Sequence, residues 1–315
     1  MTMVVFGILL ALVAVFLLGC YICYRIAFYV PPRQEKPEGF IDLPPGKAYE
    51  PFYDKMTHWV HQIRQLPREH VQITSVDGLE LHGIYYEYAP GAPIELMFHG
   101  YRGNAERDLP GGVQRCFAVG RSALVVDQRC SGKSQGKTIT FGILERRDCL
   151  KWVEFMVDRF GPDVKIILTG ISMGAATVLM AAGEDLPENV IGILADCGYS
   201  TPKAIMTHVM GRMRLPAKLC WPFVRWGARI FGHFDPEETS PLEAMGRCKK
   251  PVIFFHGEAD DFVPCFMSRE VYEACPTKKH IFVVPGADHG LSYAVAPEEY
   301  LRQLREFFGP EASHS

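Results

Sequence analysis

The chain has 315 residues, of which 48% are hydrophobic and 22% are charged. This length and composition are typical of a globular protein with one large domain or two small ones, and they exclude a disordered chain. The formal net charge of -3 gives no overall attraction for nucleic acid, whose partners usually present a strongly basic face. We therefore expect no nucleic-acid partner.

The first predicted element is an apolar helix. No charged residue occurs over residues 3–24, and this run has the length of about 20 residues that crosses a bilayer. We predict a transmembrane helix over residues 1–26. A cleavable signal peptide is the alternative, although the first two residues offer no basic start. Residues 17–20 also resemble a bacterial lipoprotein cleavage box, but another apolar stretch follows them.

Basic residues and prolines follow this helix. Arg25, Arg33 and Lys36 lie on its C-terminal side, so the positive-inside tendency predicts a single-pass protein with its C-terminal domain in the cytoplasm. Several prolines over residues 27–49 cannot lie inside a helix and predict a semi-rigid linker. The folded domain is expected over residues 50–315.

Cysteine usage agrees with a reducing compartment. Ten cysteines are spread along the chain without regular spacing. The Cys-x-x-Cys pair, Cys20 and Cys23, lies in the apolar segment, where a redox or zinc site is not expected. We predict reduced and mostly buried thiols.

The domain itself shows a regular alternation. Short β-branched runs alternate with longer helical patterns, which predicts a mostly parallel sheet with crossover helices. Asp77 and Gly78 join the first two strands and are a strong hairpin signal, so the sheet is expected to open with an antiparallel hairpin. Eight strands are predicted, over residues 71–74, 79–88, 94–98, 123–126, 165–169, 190–195, 252–255 and 281–284.

The alternation stops between Gly198 and Ser240, and about forty residues intervene, which is long for a loop and predicts a helical cap at about 199–240. Residues 199–234 contain basic side chains and no acidic one, interleaved with large apolar residues. Such a cap suits an anionic membrane surface or an amphiphilic acyl substrate. It equally suits a lid that packs its apolar face on the core.

A serine motif follows the fifth predicted strand. Residues 170–174 read Gly-Ile-Ser-Met-Gly and lead into a small-residue helix. A serine at such a sharp strand-to-helix turn is held out above the sheet, which makes Ser172 the candidate nucleophile. The short motif alone also fits an ordinary turn before a helix. The strand and the helix on either side favour the nucleophile.

A serine hydroxyl needs a base that is itself oriented by a carboxylate, in the chain order Ser, Asp, His for this kind of turn. His289 follows the last predicted strand and is the candidate base. Asp260 and Asp261 follow the strand before it. Asp196 and Asp288 also lie at strand ends and are further candidates for the acid.

Residues 256–264 read His-Gly-Glu-Ala-Asp-Asp-Phe-Val-Pro. With the serine motif, they resemble the α/β-hydrolase superfamily, in particular its monoacylglycerol-lipase and serine-aminopeptidase-like branch, in which His-Gly-x-x-Asp-x-x-Val-Pro supplies the acid. The resemblance implies the α/β-hydrolase fold and a Ser172–Asp260–His289 triad. Asp196, Asp261 and Asp288 stay as alternatives to Asp260.

The resemblance also implies an oxyanion hole made of the backbone N–H groups of Tyr101 and Met173. Tyr101 belongs to residues 99–104, His-Gly-Tyr-Arg-Gly-Asn, in which His99 is expected to be structural. Residues 127–134 look like the family's Asp-x-Arg-Gly-x-Gly-x-Ser segment, which helps to position the oxyanion loop. Cys130 replaces its first glycine.

These patterns predict a membrane-anchored serine hydrolase that cleaves a carboxylic ester, either lipid-like or a small acyl ester, without metal or organic cofactor. His58 and His61 have the spacing of a metal pair, but no matching ligands converge in the sequence, so a surface helix is expected. The same triad would serve a peptidase, amidase, thioesterase or acyltransferase. A non-enzymatic membrane scaffold that retains the fold is a third hypothesis.

Overall fold

A computed structural model describes residues 2–31, 37 and 39–309. Parts of the predicted anchor, linker and domain, namely residues 1, 32–36, 38 and 310–315, lie outside the described residues. Arg33 and Lys36, which contribute to the predicted basic flank, are among them.

The described residues form one eight-stranded sheet in the order β1-β2-β4-β3-β5-β6-β7-β8. β1 and β2 are antiparallel to each other, as are β2 and β4, and every other neighbouring pair is parallel. The predicted hairpin and mostly parallel sheet are therefore confirmed. The strands are β1 (Glu69–Thr74), β2 (Glu80–Tyr86), β3 (Ile94–Phe98), β4 (Ser122–Val126), β5 (Ile166–Ile171), β6 (Val190–Asp196), β7 (Val252–Gly257) and β8 (Lys279–Val284).

Helices flank this sheet. A short 3-10 helix, Glu50–Phe52, precedes the second α-helix. The α-helices of the described residues are α1 (Thr2–Ala27), α2 (Tyr53–Gln65), α3 (Ala105–Asp108), α4 (Pro110–Ala118), α5 (Glu145–Phe160), α6 (Met173–Ala181), α7 (Pro202–Arg212), α8 (Ala217–Phe231), α9 (Pro241–Met245), α10 (Cys265–Ala274), α11 (Ser292–Val295) and α12 (Pro297–Phe308).

The central strands are buried on both faces, which explains their mostly apolar sequence. In β3, Leu96 packs in one core cluster with Trp152 of α5 and Leu179 of α6. Met97, the next residue, packs in a second cluster with Val113 of α4. Side chains alternate between the two faces of a strand, so neighbouring apolar residues pack into different clusters. Glu95 of β3 is a buried exception, and its carboxylate pairs with Arg115 and Arg121.

Two of these helices, α7 and α8, lie where the cap was expected, between β6 and β7. α8 runs beside the C-terminal half of α1. The ring centroids of Phe16 and Phe223 are 5.2 Å apart, and those of Tyr21 and Phe231 are also 5.2 Å apart. α1 therefore contacts the domain through the cap.

The predicted boundaries of anchor, linker and domain stay predictions, but the described part of the linker contacts the domain. Phe28 is fully buried, and the backbone N–H of Val30 donates to the carbonyl of Lys137 at 2.9 Å. Further along, the Tyr53 hydroxyl donates to the carbonyl of Pro44 at 3.1 Å. These contacts hold both described ends of the linker against the domain.

All ten cysteines lie among the described residues, and each is a free thiol. Seven are buried, including Cys20, which lies against α8. The prediction of mostly buried thiols is confirmed, whereas their reduced state and the compartment stay predictions.

Candidate active site

Ser172 occupies the turn between β5 and α6. Its backbone has φ 57° and ψ -117°, in a region that non-glycine residues rarely adopt. A Cβ added at Gly170 would lie 2.1 Å from the carbonyl oxygen of Gly174, and one at Gly174 would lie 2.0 Å from that of Phe98. Neighbouring backbone carbonyls thus lie too close to either position for any side chain, so the motif requires both glycines.

His289 lies beside this serine, in the loop after β8. Its Nε2 is 2.9 Å from Ser172 Oγ, and its Nδ1 is 2.7 Å from Asp260 Oδ2. A neutral imidazole that donates from Nδ1 to the carboxylate leaves Nε2 free to accept the serine proton. The structure therefore brings together the three residues that the sequence proposed for the triad.

Asp260 is held as a carboxylate by its surroundings. Its Oδ1 accepts from the backbone N–H groups of Phe262 at 3.0 Å and Val263 at 2.8 Å. Burial alone would raise its pKa, but hydrogen bonds from His256 and His289, together with their charges, lower the pKa to about 2. The carboxylate is thus ionised above about pH 2 and loses its charge only below it.

The other candidate acids have different partners. Asp196 accepts from Ser292 Oγ at 2.9 Å and from the Tyr300 hydroxyl at 3.1 Å. Asp261 is exposed and pairs with Arg212 at 2.8 Å. Asp288 Oδ1 accepts from the backbone N–H of His289 at 2.7 Å, a bond to the main chain and not to the imidazole.

The loop that carries Tyr101 packs against the nucleophile. A Cβ added at Gly100 would lie 3.5 Å from Ser172 Cβ, and the Gly100 N–H donates to Asp108 Oδ2 at 3.1 Å. Within the described part of the chain, the backbone N–H groups of Tyr101 and Met173 have no protein acceptor. Two unpaired donors on either side of a serine are what an oxyanion hole needs.

Residues 127–134 support this loop. Asp127 Oδ1 accepts from the N–H of Ala105 at the start of α3, at 2.9 Å. His99 Nε2 accepts from the N–H of Gln128 at 3.0 Å, so its Nδ1 donates to the carbonyl of Gly100. Cys130 has a φ of 66°, a left-handed conformation that explains why glycine is usual at this position.

A cavity of about 480 Å³ opens beside Ser172. Its walls include Met56, Trp59 and Ile171, and residues 44–49 of the linker also line it. Arg115 lies on the same cavity, is 4% exposed, and has an Nε without a hydrogen-bond partner among the described residues. The cavity therefore combines apolar walls with a buried polar end.

A thiol lies next to the triad. Cys197 Sγ and ligand atoms of Asp260 and His289 all lie within 4.8 Å of one another. However, the carboxylate and the imidazole already bind each other, and burial raises the pKa of Cys197 well above its usual value. A protonated thiol is a poor metal ligand, so this group fits a hydrogen-bonded triad better than a metal site.

His256 is a residue of the site that the sequence did not single out. Its Nε2 donates to the carbonyl of Val263 at 2.7 Å and lies 3.3 Å from Asp260 Oδ2. The signal was present, because His256 opens the motif that contains Asp260. His58 and His61, in contrast, are exposed on α2 as expected.

No protein-family model matches the chain. YqkD of Bacillus subtilis is 27% identical over 246 residues, which cover 77% of this chain and 80% of that protein. The membrane protein YNL320W of Saccharomyces cerevisiae is 25% identical over 193 residues, 60% of this chain and 61% of its own length. The α/β-hydrolase domain-containing protein aho-3 of Caenorhabditis elegans is 30% identical over 162 residues, 51% of this chain and 41% of its own.

Solved structures decide the fold. The Pyrococcus furiosus esterase Pf2001 matches with a TM-score of 0.65 at 22% identity, covering 89% of this chain and 97% of the esterase. This chain is an α/β-hydrolase by fold. The acylaminoacyl peptidase of Pyrococcus horikoshii also matches this α/β-hydrolase, with a TM-score of 0.56 at 18% identity over 81% of this chain and 44% of the peptidase. The monoacylglycerol-lipase and serine-aminopeptidase-like branch stays a prediction.

Proposed function

We propose that this α/β-hydrolase is a serine hydrolase that cleaves a carboxylic ester through an acyl-enzyme on Ser172. The observation that carries the proposal is the pair of contacts, 2.9 Å and 2.7 Å long, that links Ser172 through His289 to Asp260. A nucleophile, a base and an orienting carboxylate in this arrangement are what acyl transfer by a serine requires.

In the first half-reaction, His289 Nε2 takes the proton of Ser172 Oγ while this oxygen attacks the acyl carbon. The negative charge that develops on the carbonyl oxygen is stabilised by the N–H groups of Tyr101 and Met173. Asp260 stabilises the imidazolium ion. The C–O bond to the alcohol then breaks, and the leaving oxygen receives the proton from His289.

In the second half-reaction, water attacks the acyl-enzyme. His289 takes one proton from this water and returns it to Ser172 Oγ when the second tetrahedral intermediate collapses. A carboxylic acid leaves and the free enzyme is restored. Neither half-reaction uses a metal or an organic cofactor.

The cavity supports an acyl ester as the substrate class. Its volume of about 480 Å³ lies within the range that suits a small ligand, and apolar side chains such as Met56 and Trp59 suit an acyl chain. The name of the Pf2001 esterase agrees with this proposal. The acylaminoacyl peptidase favours a second candidate, cleavage of an amide by the same triad.

We further propose that α1 anchors the enzyme in a membrane. α1 has a mean hydropathy of 3.0 over its most apolar window and only 6% of this window is buried, so its side chains need an apolar solvent. A signal sequence near the N-terminus would have the same length and apolar composition. Packing of Cys20 and Tyr24 against the cap favours a helix that is retained, because its removal would expose an apolar face of α8. The membrane name of YNL320W agrees with an anchor.

The basic residues of the cap contribute less to this anchor than the sequence suggests. Arg225 and Arg229 both pair with Asp235, at 3.0 Å for Arg225, and Lys203 pairs with Glu237 at 2.9 Å. These pairs offset the positive charge that would attract anionic lipid. The exposed apolar side chains of α8, Leu219 and Trp226, are the better candidates for contact with the bilayer.

The cytoplasmic orientation of the domain stays a prediction. Arg305 is exposed on α12, so a cysteine placed there can react with a membrane-impermeant maleimide. We expect Arg305→Cys to be labelled only after cells are permeabilised. Labelling in intact cells, above that of the unmodified chain, would place the domain outside.

A substrate panel tests the proposed reaction. We expect the full chain in detergent to hydrolyse p-nitrophenyl esters, and Ser172→Ala to reduce turnover by about a thousandfold or more. Ser240→Ala, which removes the N-cap of α9 at a residue that does not line the cavity, is the matched control and should retain turnover. Strong turnover of aminoacyl amides without turnover of esters would favour the second candidate. If the chain turns over neither esters nor amides and Ser172 is unreactive, the scaffold hypothesis is the one that remains.

A further inference from the structure

The C-terminal end of α1 is hydrogen-bonded to the loop that carries the proposed oxyanion donor. The Tyr101 hydroxyl donates to the carbonyl of Ala27 at 2.8 Å. Arg102 Nη2 donates to the carbonyls of Ile26 at 2.9 Å and Tyr29 at 3.1 Å. The last carbonyls of a helix have no partner within the helix, so these side chains supply the hydrogen-bond donors that the C-terminal end of α1 lacks.

The two side chains act as one unit. Arg102 Nε donates to the Tyr101 hydroxyl at 2.8 Å, so the hydroxyl accepts from the guanidinium while it donates to α1. The Tyr101 ring packs against Phe141, with centroids 5.0 Å apart. The Tyr101 side chain is therefore fixed by three contacts: its ring packs on Phe141, its hydroxyl donates to α1, and the same hydroxyl accepts from Arg102.

The backbone of this unit is strained and lies next to the nucleophile. Arg102 has a φ of 55°, which costs free energy for a residue with a side chain and persists only when surrounding contacts hold it. The preceding Gly100 packs against Ser172, at 3.5 Å for an added Cβ. The contacts to α1 help to hold Arg102, together with the turn closed by the Gly103 N–H on the Gly100 carbonyl at 3.1 Å and the bond from Arg107 to the Arg102 carbonyl at 3.3 Å. The proposed oxyanion donor is the N–H of Tyr101, the residue between Gly100 and Arg102.

We propose that Tyr101 and Arg102 are positioning residues through which the seated C-terminal end of α1 fixes the oxyanion loop. This inference rests on the proposed serine-hydrolase function. It makes the anchor a part of the active enzyme, because the N–H of Tyr101 is aligned only while α1 lies against the cap. A donor to the transition state must be pre-aligned to be effective, and a displacement of about 1 Å can cost about a hundredfold in rate.

Kinetics of the full chain in detergent micelles test the proposal. We expect Arg102→Ala to lower kcat for a p-nitrophenyl ester by about tenfold or more with little change in KM, since the loop binds the transition state and not the ground state. Tyr101→Phe keeps the ring on Phe141 and removes only the hydroxyl, so it should lower kcat in the same way if Arg102→Ala does not fold. Arg102→Lys, which retains a donor, should recover part of the rate.

Arg305→Ala is the matched control. Arg305 Nη2 donates to the carbonyl of Ala118, the last residue of α4, at 2.9 Å, so the variant loses the same kind of helix-end contact elsewhere. It should retain the kcat of the unmodified chain. Rates are to be normalised to the fraction of enzyme that titrates with a fluorophosphonate, which removes the effect of misfolded protein.

The possible outcomes are distinct. If the unmodified chain and Arg305→Ala turn over ester while Arg102→Ala and Tyr101→Phe do so at the same normalised kcat, the positioning role is wrong. An equal loss of kcat in Arg305→Ala would also overturn it, because the effect would then be one of general stability. If the unmodified chain itself turns over nothing, the proposed function fails instead.

Discussion

At the scale of single residues, the neighbours Asp260 and Asp261 show how position decides role. Asp260 is 5% exposed and contacts both His289 and His256, whereas Asp261 is exposed and pairs with Arg212. A buried carboxylate with hydrogen-bond donors on both oxygens can hold an imidazole in one tautomer. An exposed carboxylate that is paired with an exposed arginine cannot.

We therefore expect Asp260→Asn to lower kcat by about a thousandfold or more, because the imidazole loses the partner that orients it and stabilises its charge. Asp261→Asn removes an exposed ion pair and should change kcat by less than about threefold. Steady-state kinetics at one pH, with thermal melting to check folding, measure both. A comparable loss in the two variants would show that the acid has been assigned wrongly.

The triad could be chosen from the sequence because its signals are local. Ser172 lies in a short motif between a strand and a helix, and Asp260 follows the spacing of a family pattern. The sequence did carry a signal for His256, which opens the motif that contains Asp260. The roles of the Tyr101 and Arg102 side chains could not be predicted, because their partners in α1 are brought close only by folding and no local pattern marks them.

At the scale of elements, the contact between α1 and α8 depends on two glycines, one in each helix. A Cβ added at Gly227 of α8 would lie 2.4 Å from the carbonyl oxygen of Cys20 in α1. On the other side, a Cβ at Gly19 would lie 2.8 Å from Phe223. Close approach of the two helix backbones is therefore possible only with small residues at these points.

Two alanine substitutions in the cap should have opposite effects. Gly227→Ala must push α8 away from α1 and should lower the melting temperature. Gly211→Ala, in α7, meets no atom within 4 Å and should raise stability by about 0.5–1 kcal/mol, the usual gain for alanine over glycine in a helix. Thermal unfolding of the full chain in detergent distinguishes them, and equal shifts in both would contradict the packing.

The elements themselves were largely predictable, and their contacts were not. All eight strands lie where periodicity placed them, with bounds that differ by at most two residues. The apolar run at the N-terminus predicted a helix from its composition alone. That this helix packs on α8 and that residues 44–49 line the cavity depends on contacts between segments far apart in the chain.

At the scale of the whole molecule, the proposed anchor and the candidate active site form one connected structure. α1 contacts α8 along its C-terminal half, and its last carbonyls bind Tyr101 and Arg102 in the loop beside Ser172. A helix with an apolar exposed surface and the loop beside Ser172 are thus in direct contact. This contact agrees with the proposal of an enzyme that takes an acyl substrate from a membrane.

The measurement that tests the account most directly is the mass of the covalent adduct formed with a fluorophosphonate. We expect one equivalent to bind per chain, with the added mass on the peptide that contains Ser172, because only a serine activated by His289 attacks this reagent at an appreciable rate. Ser172→Ala should carry no adduct. An adduct on a different residue, equal labelling of Ser172→Ala, or no adduct on the folded unmodified chain would contradict the claim that Ser172 is the nucleophile.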